Sequence, residues 1–209
     1  DDTTWDRGGP RAVDSHVWDD TDGEMYMTFG SWDPVGQDVI AIAELDPVTG
    51  RIDGFDPDKP AYYPDGGHPS LHTVATFGEA AYSLHHGEYY YLFINLGSCC
   101  SGLDSTYTII VGRSTSIFGP YVDRDGRSFN ISYPEDSYPG TVVASGRLGE
   151  GRRIGPGHTG LIERDGGLCL SYHFYDGDDN GHPKLGMAPL AFDEAGWPYA
   201  VTDQTCHFR

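Results

Sequence analysis

The chain has 209 residues, a formal net charge of -19 and a sequence pI near 4.5. Such a charge repels phosphate groups, and no cluster of Lys and Arg stands out, which excludes nucleic acid and anionic membrane surfaces as partners and favours a neutral ligand. The apolar runs are only as long as strands, so we expect no membrane-spanning segment.

The first recurring unit of the sequence begins with a strand over residues 13–20. A turn at Asp22-Gly23 follows, then a second strand in EMYMTFGS and a third in DVIAIAEL, which ends at Leu45. Polar and apolar residues alternate in these stretches, and the turn residues favour a hairpin, so the pattern predicts strands rather than helices.

The same order of elements returns twice further along the chain. In the second unit, a strand over residues 79–85 leads to a turn at His86-Gly87 and to the strands EYYYLFINL and TYTIIVGRS. In the third, residues 158–164 precede a turn at Asp165-Gly166 and the strands GLCLSYHFYDG and KLGMAPLAF. No segment of the sequence shows a sustained helical period.

A three-strand meander that recurs every roughly 65 to 80 residues is typical of a propeller blade. Each linker holds a less regular fourth strand, for which RSTSIFGPYVD is one candidate. The sequence therefore predicts an all-β chain in which residues 1–209 form one domain, with about three blades and part of another. A β-sandwich is the alternative.

One ionisable residue occupies a similar place in each unit. Asp14, Glu79 and His158 stand eight or nine residues before the turn glycine, where the first strand of each unit begins. In a propeller the first strands line the central channel, so these side chains would converge on one site. Each could instead be a turn residue at a strand entry, since Asp commonly bonds to nearby backbone.

Several segments of the chain carry a family resemblance: VDSHVWDDTDGEMYMTFGSW, EAAYSLHHGEYYYLF, CCSGLDSTYTIIVGRSTSIFGPYVD, GPGHTG, SYHFYDGDDNG and the closing GWP. They resemble the endo-α-1,5-L-arabinanases of family 43 of the glycoside hydrolases. The resemblance implies a five-bladed β-propeller, of which three to four blades are present here, and hydrolysis of α-1,5-linked arabinan or arabino-oligosaccharides with inversion. It also implies a secreted, monomeric enzyme.

The resemblance assigns roles to matching residues. Glu79 matches the general acid, Asp14 the carboxylate that modulates the pKa of that acid, and His158 the histidine that binds one Ca²⁺ ion together with waters. The segments that line the sugar site contain Ala12, Val13, Asp14, Ser31 and Trp32. The assignment of the two carboxylates is chemically consistent, because a neighbouring negative charge keeps an acid protonated.

The chain also departs from the family pattern. Ser15 and Ala81 replace prolines, which leaves both carboxylates in place. The upstream Asp that acts as general base has no match, although an inverting enzyme needs this second carboxylate about 6.5–9.5 Å from the acid. We therefore expect negligible hydrolysis from this chain alone. The alternatives are a noncatalytic carbohydrate-binding propeller and a related exo-arabinanase, arabinofuranosidase or β-xylosidase.

The remaining candidate sites are weaker. The loop at residues 176–181 imitates half of an EF-hand, but Met187 stands where a bidentate Glu is needed, which favours an ordinary turn. Trp18 is a possible platform for a sugar ring, and Arg113 a possible contact of the sugar or the acid. We expect the adjacent Cys99 and Cys100 to be two buried free thiols in a turn rather than a strained vicinal disulfide.

Overall fold

The computed structural model describes residues 13–21, 23–31, 39–52, 71–134, 137–145, 147–148 and 152–206, and of residues 31, 39, 147 and 148 the backbone alone. The strands are β1 His16–Asp19, β2 Met25–Ser31, β3 Val39–Leu45, β4 Leu71–Ala75, β5 Glu79–His86, β6 Tyr89–Leu96, β7 Thr108–Ser114, β8 Thr141–Ser145, β9 Arg147–Leu148, β10 Arg153–Arg164, β11 Gly167–Asp176, β12 His182–Phe192 and β13 Pro198–Ala200. A short 3-10 turn at Gly102–Asp104 is the single helical element in these ranges, which confirms the all-β prediction. In the described part of the chain no helix could cross a bilayer.

The strands form three antiparallel sheets. Sheet A has the order β1-β2-β3-β4, sheet B β5-β6-β7-β8, and sheet C β13-β12-β11-β10-β9. Each predicted unit supplies three consecutive strands of one sheet. The predicted turn Asp165-Gly166 joins β10 to β11, whereas the turn between β5 and β6 is Gly87-Glu88 rather than the predicted His86-Gly87, and Asp22 of the remaining predicted turn lies outside the described residues. At Asp165-Gly166 both residues have positive φ, of 52° and 77°, as the two-residue hairpin turns that match the twist of strands require.

The fourth strand of sheet B differs from the predicted one. The prediction places it in RSTSIFGPYVD, but the first two residues of this segment end β7, and the rest forms only isolated bridges, Arg113 with Val122 and Val122 with Ser128. The strand that pairs with β7 is β8, further along the chain. The Ser, Thr, Gly and Pro residues of the segment favour turns, and the Gly119 N–H donates to the Ser116 carbonyl in one of them.

Sheet B lies between the other two and is covered on both faces. Leu92 and Ile94 of β6 belong to a core shared with sheet A. Tyr91 and Phe93, on the opposite face of the same strand, belong to a core shared with sheet C. Successive side chains of a strand point to opposite faces of the sheet. A strand that is buried on both faces therefore has a nearly continuous apolar sequence, as in YYYLFINL of β6.

One disulfide, which was not predicted from the sequence, joins sheet C to the last described residue. Cys169 of β11 bonds to Cys206, which lies 37 positions later and ties the residues after β13 to sheet C. Cys99 and Cys100 are both free, as expected, but they are not buried: Cys99 is half-buried and Cys100 is exposed. Composition could not indicate the pairing, because the two bonded residues come together only through the sheet.

Candidate active site

The backbone is irregular at or next to the predicted ionisable residue of each unit, although Asp14 lies just before β1 and His158 lies within β10 rather than at its start. Asp14, Ala80 and His158 have positive φ values of 52°, 53° and 56°. The pairing of β5 with β6 and of β10 with β11 shifts register at these positions. Such backbone is strained for residues other than glycine and is found often at functional sites. The predicted alignment of Asp14, Glu79 and His158 thus follows a repeated irregularity, with Glu79 one residue before the strained position of its sheet.

Glu79 is the first residue of β5 and bonds to a buried tyrosine. Its Oε1 accepts a hydrogen bond of 2.6 Å from the hydroxyl of Tyr107, which is 3% exposed and lies just before β7. Burial raises the pKa of Tyr107 far above its ordinary range, and the hydrogen bond to Glu79 and the nearby negative charges add to the shift. The phenol is therefore a permanent proton donor toward this carboxyl group.

Asp14 lies in the same surroundings as Glu79. A hydrogen bond with Cys100 contributes most to raising the pKa of Cys99 to about 11, followed by burial and by the negative charges of Cys100, Glu79 and Asp14. The charge of Asp14 also contributes to the raised pKa of Tyr107. Asp14 and Glu79 therefore act on the same two side chains, although they come from different sheets.

The third irregular position is joined to sheet B by Asn95. This residue pairs with Glu79 across β5 and β6 and is 1% exposed. Its Oδ1 accepts the backbone N–H of His158 at 3.0 Å, and its Nδ2 donates to the Pro156 carbonyl at 3.4 Å and to the Thr108 carbonyl at 3.1 Å. One amide thus links the strand that carries Glu79 to the strained segment that carries His158.

Two buried polar atoms close to His158 have no hydrogen-bond partner, Thr159 Oγ1 and His173 Nε2. Burial, and then the charge of His158, lower the pKa of His173. His158 itself is exposed. Among the described residues no group of three or more His, Cys, Asp or Glu side chains could hold a metal ion. The donors near His158 therefore fit at most a weakly held ion whose remaining ligands are water.

The predicted sugar-lining residues are described only in part. Val13 is exposed, and its carbonyl accepts the N–H of Gly30 at 3.1 Å, which places it at the entrance of sheet A beside Asp14. Ser31 ends β2, where the backbone alone is described. Ala12 and Trp32 lie outside the described residues.

The weaker candidates lie elsewhere. Trp18 packs against Tyr26 and donates from Nε1 to Thr28 Oγ1 at 3.3 Å. The guanidinium of Arg113 sits 4.2 Å from the ring centroids of both Tyr89 and Trp197, at the turn end of β6 and away from Glu79 at the opposite end of β5. These contacts give both residues a role in packing.

The loop at residues 176–181, which resembles half of an EF-hand, has carboxylates that are already paired with basic side chains. The carboxylate of Asp176 is fully buried and receives Arg152 at 3.2 Å and Lys184 at 2.8 Å. Lys184 also bonds to Asp179 at 2.7 Å. These ion pairs hold the turn between β11 and β12 together, as the sequence predicted for an ordinary turn.

Sequence reasoning missed Tyr107 and Asn95 as site residues. Tyr107 lies in the distinctive run CCSGLDSTYTIIVGRS, which resembles the family as a whole but gives no separate signal for its tyrosine. Asn95 carried a weaker signal, a polar residue within an otherwise apolar central strand. A buried amide in such a strand needs partners for its polar atoms.

Known proteins share sequence similarity with most of this chain. A family model described as Glycosyl hydrolases family 43 matches residues 3–198. An extracellular endo-alpha-(1->5)-L-arabinanase of Bacillus subtilis is 33% identical over 194 residues, which is 90% of this chain and 50% of that protein. An extracellular exo-alpha-(1->5)-L-arabinofuranosidase of Cellvibrio japonicus is 39% identical over 120 residues, 57% of this chain and 32% of that protein.

Solved structures give the same result. The endo-arabinanase of Bacillus licheniformis superposes with a TM-score of 0.71 at 34% identity, covering 92% of this chain and 58% of that one. An exo-1,5-alpha-L-arabinanase from a bovine ruminal metagenomic library gives a TM-score of 0.69 at 31% identity, covering 90% and 56%. The chain spans about half the length of the curated endo-acting relatives it matches.

Proposed function

Because the chain belongs to family 43 of the glycosyl hydrolases, we propose that it is the part of an arabinanase that carries the general acid, and that its substrate is α-1,5-linked arabinan. The observation that carries the proposal is the hydrogen bond from the buried Tyr107 to Glu79 at the strained entrance of sheet B, where the charge of Asp14 also acts on Tyr107. Relatives named as arabinanases match 90% of the chain and support the substrate class.

In the proposed mechanism, Glu79 protonates the leaving oxygen of the glycosidic bond. Asp14 keeps a second negative charge close by, which disfavours ionisation of the acid before the proton is needed. Inversion requires a further carboxylate on the opposite face of the sugar to take a proton from water. That base is not among the residues assigned here, so the chain alone should be nearly inactive.

The proposed fold is a five-bladed propeller, in which sheets A, B and C are three consecutive blades. The meander in each sheet and the contacts of β10 with β5 and with Asn95 of β6 support this proposal. We also place one Ca²⁺ ion at His158. One imidazole and several waters would supply a weak, open site that contributes positive charge near the sugar, and the two unpartnered polar atoms nearby leave donors for those waters.

Secretion and a monomeric state complete the proposal. Two relatives are named as extracellular. The disulfide between Cys169 and Cys206 supports an oxidising compartment, because such bonds are rare in cytosolic proteins.

The test is hydrolysis of debranched arabinan by the 209-residue chain and by the product of the whole reading frame from which it comes. In the active form, Glu79→Gln should lower turnover of arabinan by about 10²–10⁴-fold, and far less on an aryl arabinoside whose leaving group needs no proton. Glu88→Gln, an exposed glutamate at the other end of the same hairpin, is the matched control. Full activity of Glu79→Gln on arabinan would overturn the assignment.

An exo-acting enzyme is the second candidate, favoured by the exo-acting relatives at comparable identity. The product pattern separates the two. Endo cleavage lowers the viscosity of arabinan early and releases mixed oligosaccharides, whereas exo cleavage releases one short product while viscosity persists. A chain that binds arabinohexaose but cleaves nothing, even from the whole reading frame, would instead be a carbohydrate-binding propeller.

A further inference from the structure

Tyr107 is held in place before any substrate arrives. Its ring stacks on His173 with centroids 5.7 Å apart. It also lies against Gly157, where a Cβ atom would come within 2.1 Å of the Tyr107 ring. Any larger residue at position 157 would displace the phenol, so this glycine provides the space that the ring occupies.

The loop that precedes Tyr107 is closed on itself by hydrogen bonds. The backbone N–H of Tyr107 donates to Ser105 Oγ at 3.3 Å, and Ser105 Oγ donates to the Ser98 carbonyl at 2.8 Å. The Ser98 N–H donates to Thr106 Oγ1 at 3.0 Å. The direction of the phenol therefore depends on this loop and on sheet C, and not on a bound sugar.

We propose that Tyr107 is a positioning residue for the general acid: its hydroxyl holds Oε1 of Glu79, so that the proton given to the leaving oxygen is carried by Oε2. This inference rests on the proposed function of Glu79. It follows from the 2.6 Å bond, because an oxygen that already accepts a short bond from a phenol is the poorer place for the acid's own proton.

The same hydrogen bond changes in strength during the reaction. While Glu79 is protonated, the phenol donates to a neutral carboxyl oxygen. As the proton leaves, the acceptor becomes a carboxylate, and hydrogen bonds to ionised acceptors are roughly twice as strong as neutral ones. Because the gain appears only as the proton is transferred, it favours the transition state over the bound substrate.

Other ionisable groups surround the pair and affect its titration. Asp14 approaches from the entrance of sheet A, Cys99 from the loop after β6, and His173 and His158 from sheet C. These groups are the same in the variants below, so a difference between variants reports on the phenol alone.

The first test measures the titration of the Glu79 carboxyl carbon by ¹³C NMR in the 209-residue chain, with a chelator present and with Glu79→Gln to assign the signal. Tyr107→Phe should move the midpoint upward by about one to two pH units, because the ionised form loses a charge-assisted bond. Tyr175→Phe is the control, since its hydroxyl is also partly buried beside the same loop but accepts the Cys100 N–H at 2.7 Å instead. An unchanged midpoint in Tyr107→Phe, or an equal shift in Tyr175→Phe, refutes the proposal.

A second measurement covers the case in which Tyr107→Phe does not fold. The hydroxyl proton of Tyr107 should resonate far downfield in the unaltered chain and move upfield in Glu79→Gln, and its absence from the downfield region would also refute the proposal. In the active form, Tyr107→Phe should lower turnover of arabinan about tenfold and leave an aryl arabinoside nearly unaffected. If Glu79→Gln leaves turnover of arabinan intact, the proposed function fails, while the NMR result still decides whether the bond exists.

Discussion

Replacement of Asn95 by alanine removes the amide that joins sheet B to the segment of His158. The side chain is 1% exposed and makes three hydrogen bonds, to the backbone of Thr108, Pro156 and His158. Alanine keeps the strand but leaves the Pro156 carbonyl and the His158 N–H without this partner. A buried polar group left unpaired costs about 1–3 kcal/mol, so we expect Asn95→Ala to lower the free energy of unfolding by about 2–4 kcal/mol.

Urea unfolding followed by tryptophan fluorescence measures this loss. With a slope of about 2–3 kcal/mol per molar urea, the midpoint should fall by about 1 M. Asn130→Ala, at an exposed asparagine, is the control and should change the free energy of unfolding by less than about 0.5 kcal/mol. If Asn95→Ala is as stable as this control, the amide does not hold the two sheets together and the reasoning is wrong.

Two further predictions follow from other contacts. Burial lowers the pKa of His16 from its ordinary 6.5 to about 4, and its Nδ1 accepts the Ser83 N–H at 3.2 Å. Between pH 4 and 6.5 the unfolded chain therefore binds more protons than the folded chain. The free energy of unfolding should fall by up to about 3 kcal/mol as the pH drops from 6.5 to 4. His16→Gln should flatten this part of the stability curve, and an unchanged slope in a pH series of urea titrations would contradict the assignment. Calorimetric titration should detect Ca²⁺ binding with a dissociation constant of about 10⁻⁴–10⁻³ M. His158→Ala should abolish this binding, whereas the control Asp178→Asn, at an exposed carboxylate, should preserve it. Binding that His158→Ala retains would place the ion elsewhere.

The sequence by itself determined the strands and the turns between them. Alternating residues and turn glycines are local signals, so EYYYLFINL and TYTIIVGRS could be recognised as strands without knowing their neighbours. The segment RSTSIFGPYVD failed as a strand because its turn-forming residues outweighed its few apolar ones. The sequence also predicted that Asp14, Glu79 and His158 occupy equivalent positions, because each lies eight or nine residues before the turn glycine of its own unit.

Only the tertiary structure decided which side chains meet at these places. The bond from Tyr107 to Glu79 joins residues 28 positions apart, and the bond from the His158 N–H to Asn95 joins residues 63 positions apart. The pairing of Cys169 with Cys206 likewise needed the packing of sheet C. Periodicity along a strand determines which face a side chain occupies but carries no information about the sheet that will cover that face. The bond from Tyr107 to Glu79 therefore forms only once sheet B is assembled, and the bond from the His158 N–H to Asn95 only once sheets B and C have packed together.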